Sequence, residues 1–135
     1  MKVALISCVK SKQDGSHMAK DLYTSPLFRM NYAYAKKTCD KVFILSAKYG
    51  LLAEDDMITW YEKTLTKVKK ADRQAWADKV IARLRTETDL ANDEFLILAG
   101  EVYRENLLPH LHKTEIPFYK MGFGKQLQKL KESLA

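Results

Sequence analysis

Side chains suited to chemistry are concentrated in two short segments, SCVKSK at residues 7–12 and SAKYGLL at residues 46–52. Each places a serine and then one or more lysines just after an apolar run. The hydroxyls of Ser7, Ser11 and Ser46 can orient a polar ligand, and the ammonium groups of Lys10, Lys12 and Lys48 can neutralise negative charge. Tyr49 offers a ring for stacking, and Gly50 can adopt a positive φ in the turn that follows. Cys8 is a nucleophile if Lys10 or Lys12 depresses its thiol pKa, because the thiolate is the reactive species. The alternative is an inert cysteine in a buried strand.

A third group, Gly100, Glu101 and Tyr103, follows the apolar run EFLILAG, while Asp21 and Tyr23 lie between the first run and the first helix. The carboxylates of Asp21 and Glu101 are candidates for acid and base work, against the alternative of solvated loop carboxylates. Gly122 and Gly124 precede the last helix, whose N–H groups can hold an anion beside Lys125, or the pair is simply a turn. GFG lacks the full GxGxxG fingerprint, and neither a GxxxxGK[ST] loop nor a GxSxG elbow is present. His17, His110 and His112 form no HExxH pattern, so neither a metal nor a cofactor is expected.

These residues need a scaffold that carries them to one place. VALISCV and VFILSA are apolar on consecutive positions and rich in β-branched residues, as strands covered on both faces are. Ser25-Pro26 has the form of a helix start and predicts a helix to about Lys37, with Phe28, Tyr32, Ala35 and Cys39 on its packed side. Asp72 predicts the N-cap of a helix from Arg73 to about Glu87, with Trp76, Val80, Ile81 and Leu84 forming an apolar stripe. A further helix should carry Val102, Leu107 and Leu108 before Pro109, and IPFY should be a short strand. A last helix should carry Leu127, Leu130 and Leu134. Residues 10–24 read as a long loop, while residues 53–70 fit a short strand, a helix turn or an ordered loop. Alternating strands and helices predict an α/β, three-layer Rossmann-like sandwich on a mostly parallel sheet of about four strands, one domain over residues 1–135. Ligands of such sheets bind beyond the carboxyl ends of the strands, which would bring the three groups together.

Composition bounds the setting. Two cysteines among 135 residues exclude a disulfide framework, and the N-terminal apolar run is far too short to span a bilayer. A cytoplasmic protein with no membrane attachment is expected. A net charge of +6 favours anionic partners, although Lys67, Lys69, Lys70, Lys120, Lys125, Lys129 and Lys131 also fit solvated helix faces. Oligomeric state is not legible.

Taken together, ISCVKSK, AKDLYTSPLFR, ILSAKYGLL, LAGEVYRENLLPHL and GFGKQLQKLK resemble the DUF6884-type domains of bacteria and phages over most of the chain. ILSAKYGLLAEDDMITWYEKTL is more distantly similar to the YaaA-type peroxide-stress family, whose block has the form SGLYGxLxPxDxIxxYRLEM. The chain departs from it at Ala47-Lys48 and at Trp60-Tyr61-Glu62. CVKSK with Tyr23-Thr24-Ser25 resembles a catalytic region of archaeosine synthase, and related domains have been described as nucleoside-hydrolase-like. What these resemblances imply is a Rossmann-like fold with a nucleobase, nucleoside or nucleotide ligand. The reading that follows is an enzyme acting on such a ligand, at an N-glycosidic bond for instance. The alternative is a non-catalytic nucleic-acid-binding or stress-response module.

Overall fold

A computed structural model describes residues 1–7, 15–23, 25–59, 61, 64–118 and 123–134 of the chain. Its elements in order are β1 (Lys2–Ser7), β2 (Ser16–Met18), α1 (Ala19–Leu22), α2 (Pro26–Thr38), β3 (Lys41–Ser46), β4 (Gly50–Ala53), β5 (Met57–Thr59), α3 (Lys70–Glu87), β6 (Glu94–Leu98), α4 (Glu101–Arg104), β7 (Lys113–Glu115) and α5 (Phe123–Leu134).

A five-stranded sheet in the order β4-β3-β1-β6-β7 forms the middle layer, parallel throughout except for β4. In register, Leu5 lies between Phe43 and Ile97, and Ile6 between Ile44 and Leu98. Because alternate side chains leave a strand on opposite faces, each consecutive apolar run supplies both layers. Val3, Leu5, Phe43, Leu45, Phe95 and Ile97 pack with Ala77, Val80, Ile81 and Leu84 of α3. Ala4, Ile6, Val42, Ile44, Leu96 and Leu98 pack on the other side with Phe28 and Ala35 of α2. The expected three-layer α/β sandwich is therefore present, with five strands rather than about four.

Local chemistry explains where the elements begin. Ser25 caps α2, its Oγ accepting from the Phe28 N–H at 3.1 Å, and Pro26 takes the first helical position, where no N–H is needed. Gly50 closes the β3–β4 hairpin with φ +79°, a left-handed conformation costly for any residue with a side chain.

Four expectations are corrected. The helix expected from Asp72 begins at Lys70, with Lys69 at the cap position and Asp72 in the first turn, where its charge suits the helix dipole. The stretch expected to be loop contains β2 and α1, because Ser16–Met18 finds an antiparallel partner in the distant β5, with His17 opposite Ile58. The helix expected through Leu108 is only four residues long, and Pro109 sits in a separate 3-10 turn, Leu108–His110. The strand expected at IPFY lies earlier, at Lys113–Glu115, since Pro117 has no N–H to give a ladder. Among the described residues no helix is long and apolar enough to cross a membrane.

Candidate functional site

The carboxyl ends of β1, β3 and β6 stand side by side, with Ser7 opposite Leu45 and Ile6 opposite Leu98. Beyond them the chain takes opposite directions. After β1 it enters α1 and α2, whose Leu22, Phe28 and Ala35 pack on one side of the sheet. After β6 it enters α4, whose Tyr103 packs with Leu107 on the other. Such a divergence between neighbouring parallel strands is where open α/β sheets place their ligands.

Beside this point the turn after β3 is held from two directions. Ser46 is fully buried, and its Oγ accepts from the Tyr49 N–H at 3.0 Å. Its carbonyl accepts from Trp76 Nε1–H of α3 at 2.8 Å. The turn exposes Lys48, whose Nζ lies 5.2 Å from the centre of the Tyr49 ring. Tyr49 is half-buried. Its hydroxyl donates to the Thr59 carbonyl at 3.2 Å and accepts from the Thr59 N–H at 3.4 Å, tying the turn to β5.

The Tyr49 ring meets Tyr61 nearly at a right angle, with centroids 5.6 Å apart. The Tyr61 hydroxyl is hydrogen-bonded to that of Tyr23 at 2.7 Å, and Tyr23 packs on Phe28. Ring contacts therefore run from α2 through Tyr23 and Tyr61 to Tyr49, where an exposed ammonium group stands over the last ring. A lysine beside a half-exposed ring suits a ligand that joins a flat group to an anion.

The remaining expected residues are distributed around this group. Ser7 is half-buried at the end of β1. Gly100 is exposed and starts α4, its carbonyl accepting from the Tyr103 and Arg104 N–H groups at 3.0 and 3.1 Å. Glu101 is exposed on α4 and Asp21 is exposed on α1. Tyr103 faces away, buried against Trp76 at 5.7 Å between ring centres, its hydroxyl accepting from the Leu65 N–H at 3.4 Å. Gly124 is exposed within the first turn of α5. Cys8, Lys10, Ser11, Lys12 and Gly122 lie outside the described residues.

Three residues at this edge escaped the sequence reading. Tyr61 lies in the stretch whose periodicity is ambiguous. Trp76 reads as one more position of an apolar stripe, although its indole N–H fixes the Ser46 turn. Arg104 donates to the Ala99 carbonyl at 2.8 Å, bringing a guanidinium to the end of β6. Its place one helical turn after Gly100, the glycine that follows the apolar run, is the signal that could have found it. Among the described residues no three His, Cys, Asp or Glu side chains gather as a metal site.

Residues 3–132 match the model of a family described as a family of unknown function, DUF6884. The chain is 29% identical to the uncharacterised protein YfjM of Bacillus subtilis (strain 168), over 98% of this chain and 95% of that protein. No solved structure matches.

Proposed function

The chain belongs to the DUF6884 family, and from its own residues we propose that it is an enzyme acting on a nucleoside, nucleotide or modified base held across the carboxyl ends of β1, β3 and β6. The observation that carries this reading is the Lys48–Tyr49 pair beside the point where the connections from β1 and β6 diverge. A base would stack on Tyr49. Lys48 would meet a phosphate or the charge that develops on a departing base. Burial of Tyr103 and the commitment of the Ser46 hydroxyl to its turn favour Tyr49 and Ser7 for ligand contact.

The reaction that suits these groups is hydrolysis at an N-glycosidic bond. Water adds to the anomeric carbon, the C–N bond breaks, and the proton lost by water reaches the departing base nitrogen through Glu101 or Asp21. Within this reading the protein works in the cytoplasm, where Cys39 stays a free thiol. Burial, the larger influence, raises the pKa of that thiol and keeps it unreactive.

A thermal-shift screen against nucleobases, nucleosides and nucleotides tests the proposal. A ligand at a hundred times its Kd adds about 2.7 kcal/mol, enough to raise the midpoint by several degrees. The Lys48→Ala variant should keep the unliganded midpoint and lose both the shift and the release of free base seen by chromatography. Absence of a shift with every base-containing ligand would overturn the reading. Full activity in Lys48→Ala would remove the lysine from it.

A further inference from the structure

The outer surface of the α2 and α5 layer is charged unlike that of α3. The two helices carry six basic side chains, Arg29, Lys36, Lys37, Lys125, Lys129 and Lys131, all exposed, against the single acid Glu132. Most of the chain's net +6 therefore resides there. Lys36 pairs with Glu54 at 3.2 Å, whereas Arg29, Lys125, Lys129 and Lys131 have no ion pair among the described residues.

The opposite layer contrasts with this. On α3, Lys70, Lys79 and Arg85 are matched in number by Asp72, Asp78 and Glu87, and Arg73 and Arg83 are paired to Glu105 and Asp56 at 3.6 and 3.0 Å. A difference between two faces of one molecule is not explained by a general need for solubility, which either face would serve.

The helices are neighbours, and Lys37 Nζ lies 3.5 Å from the Ser133 carbonyl, so their C-terminal ends meet. One helical turn separates Lys125 from Lys129, and two separate Arg29 from Lys36 and Lys37, giving rows of cations at intervals of about 6 and 11 Å. We infer that this α2–α5 face binds the phosphodiester backbone of a nucleic acid strand. Repeated cations at helical intervals suit a repeated anion.

A membrane surface fits less well. Helices that lie on bilayers expose an apolar side, but Leu130 of α5 is fully buried, and among the side chains described the exposed large hydrophobic ones, Met1, Met18 and Met57, lie on neither helix. The inference extends the proposed function and rests on it in one respect: the base reaching Tyr49 would then belong to a polynucleotide.

The test is fluorescence anisotropy with labelled single-stranded DNA, single-stranded RNA and duplex DNA of about twenty units, longer than the usual footprint of a single-strand-binding domain. Salt is varied, and the wild-type chain is compared with two double variants. Lys125→Glu with Lys129→Glu reverses charge on the inferred face. Lys70→Glu with Arg85→Glu makes the same change in net charge on α3. All four side chains are exposed, so both variants should fold, which circular dichroism melts check.

The α5 pair should weaken binding by about tenfold or more and reduce the slope of log K against log salt by about 1.5, as expected when two phosphate contacts are lost. The α3 pair should weaken it less than about threefold, since only the long-range field changes. Equal weakening by both variants would overturn the inference. So would no wild-type binding at low salt, or binding to anionic phosphatidylserine vesicles but not to nucleic acid. Intact oligonucleotide binding without any response to mononucleosides would remove the strand-end site and leave this face standing.

Discussion

Against α3 the sheet is sealed by aliphatic side chains, Val80, Ile81 and Leu84 over Leu5, Phe43 and Ile97, with Tyr103 the only tyrosine in the cluster among the described residues. Against α2 the same strands meet Tyr23, Phe28 and Tyr61, with Tyr32 and Tyr49 packed at the margin. Aliphatic burial is indifferent to direction, whereas each buried hydroxyl needs a partner at a particular angle. The tyrosine side supplies such partners one by one, as Tyr23 with Tyr61 and Tyr49 with Thr59. It also carries Asn31, whose Oδ1 is the only buried side-chain oxygen among the described residues without a hydrogen-bond partner. Groups that must be oriented individually are also groups that can orient something else. This is why the tyrosine side, and not the better-sealed one, borders the proposed site.

The division breaks if mutations on the two sides have the same consequences. Leu84→Ala empties a fully buried position under α3 and should cost about 2–5 kcal/mol, read as a lower urea midpoint. The folded variant should bind nucleosides as the wild type does. An altered affinity would mean that the aliphatic side shapes the site as well. Trp76→Phe sharpens the comparison, because Trp76 reaches from α3 to the Ser46 carbonyl at 2.8 Å. Losing that donor should cost about 1–3 kcal/mol, and it should also shrink the nucleoside-induced thermal shift, since Ser46 begins the turn that carries Lys48 and Tyr49. A stability loss with an unchanged shift would confine Trp76 to packing.

How much of this was legible in the sequence follows from how local each cause is. VALIS, VFILS and EFLIL announce buried parallel strands because apolarity on consecutive residues is contained in the run itself. The Ser25 cap is equally local. The β2–β5 ribbon is not, since SHM and MIT are three residues each and become strands only through one another. β7 is exposed along its whole length and is defined by pairing with β6 rather than by any apolar pattern. At the proposed site, the adjacency of the strand ends that precede Ser46 and Gly100 to that of β1 follows from parallel pairing and could be foreseen. That Tyr103 turns into the aliphatic core while Tyr61 joins Tyr49 depends on tertiary packing, which two tyrosines in a sequence do not distinguish.

The smallest expected effect lies at the edge of the tyrosine side. The Tyr32 hydroxyl donates to the Glu54 carboxylate. Burial first, and then this bond and the negative charge of Glu54, raise its pKa well above the ordinary tyrosine value. The native state therefore holds the phenolic proton more tightly than the unfolded chain does. Its contribution is complete below the unfolded value of about 10 and is lost as pH rises from there toward the folded value. In urea melts between pH 8 and 11.5, wild-type stability should fall on the alkaline side more steeply than that of Tyr32→Phe, which loses only about 1 kcal/mol at neutral pH. Contributions shared by the two proteins cancel in the difference. Parallel alkaline limbs would mean that Glu54 does not hold the Tyr32 proton, and the individually satisfied hydroxyls that set this side of the sheet apart would then stop short of α2.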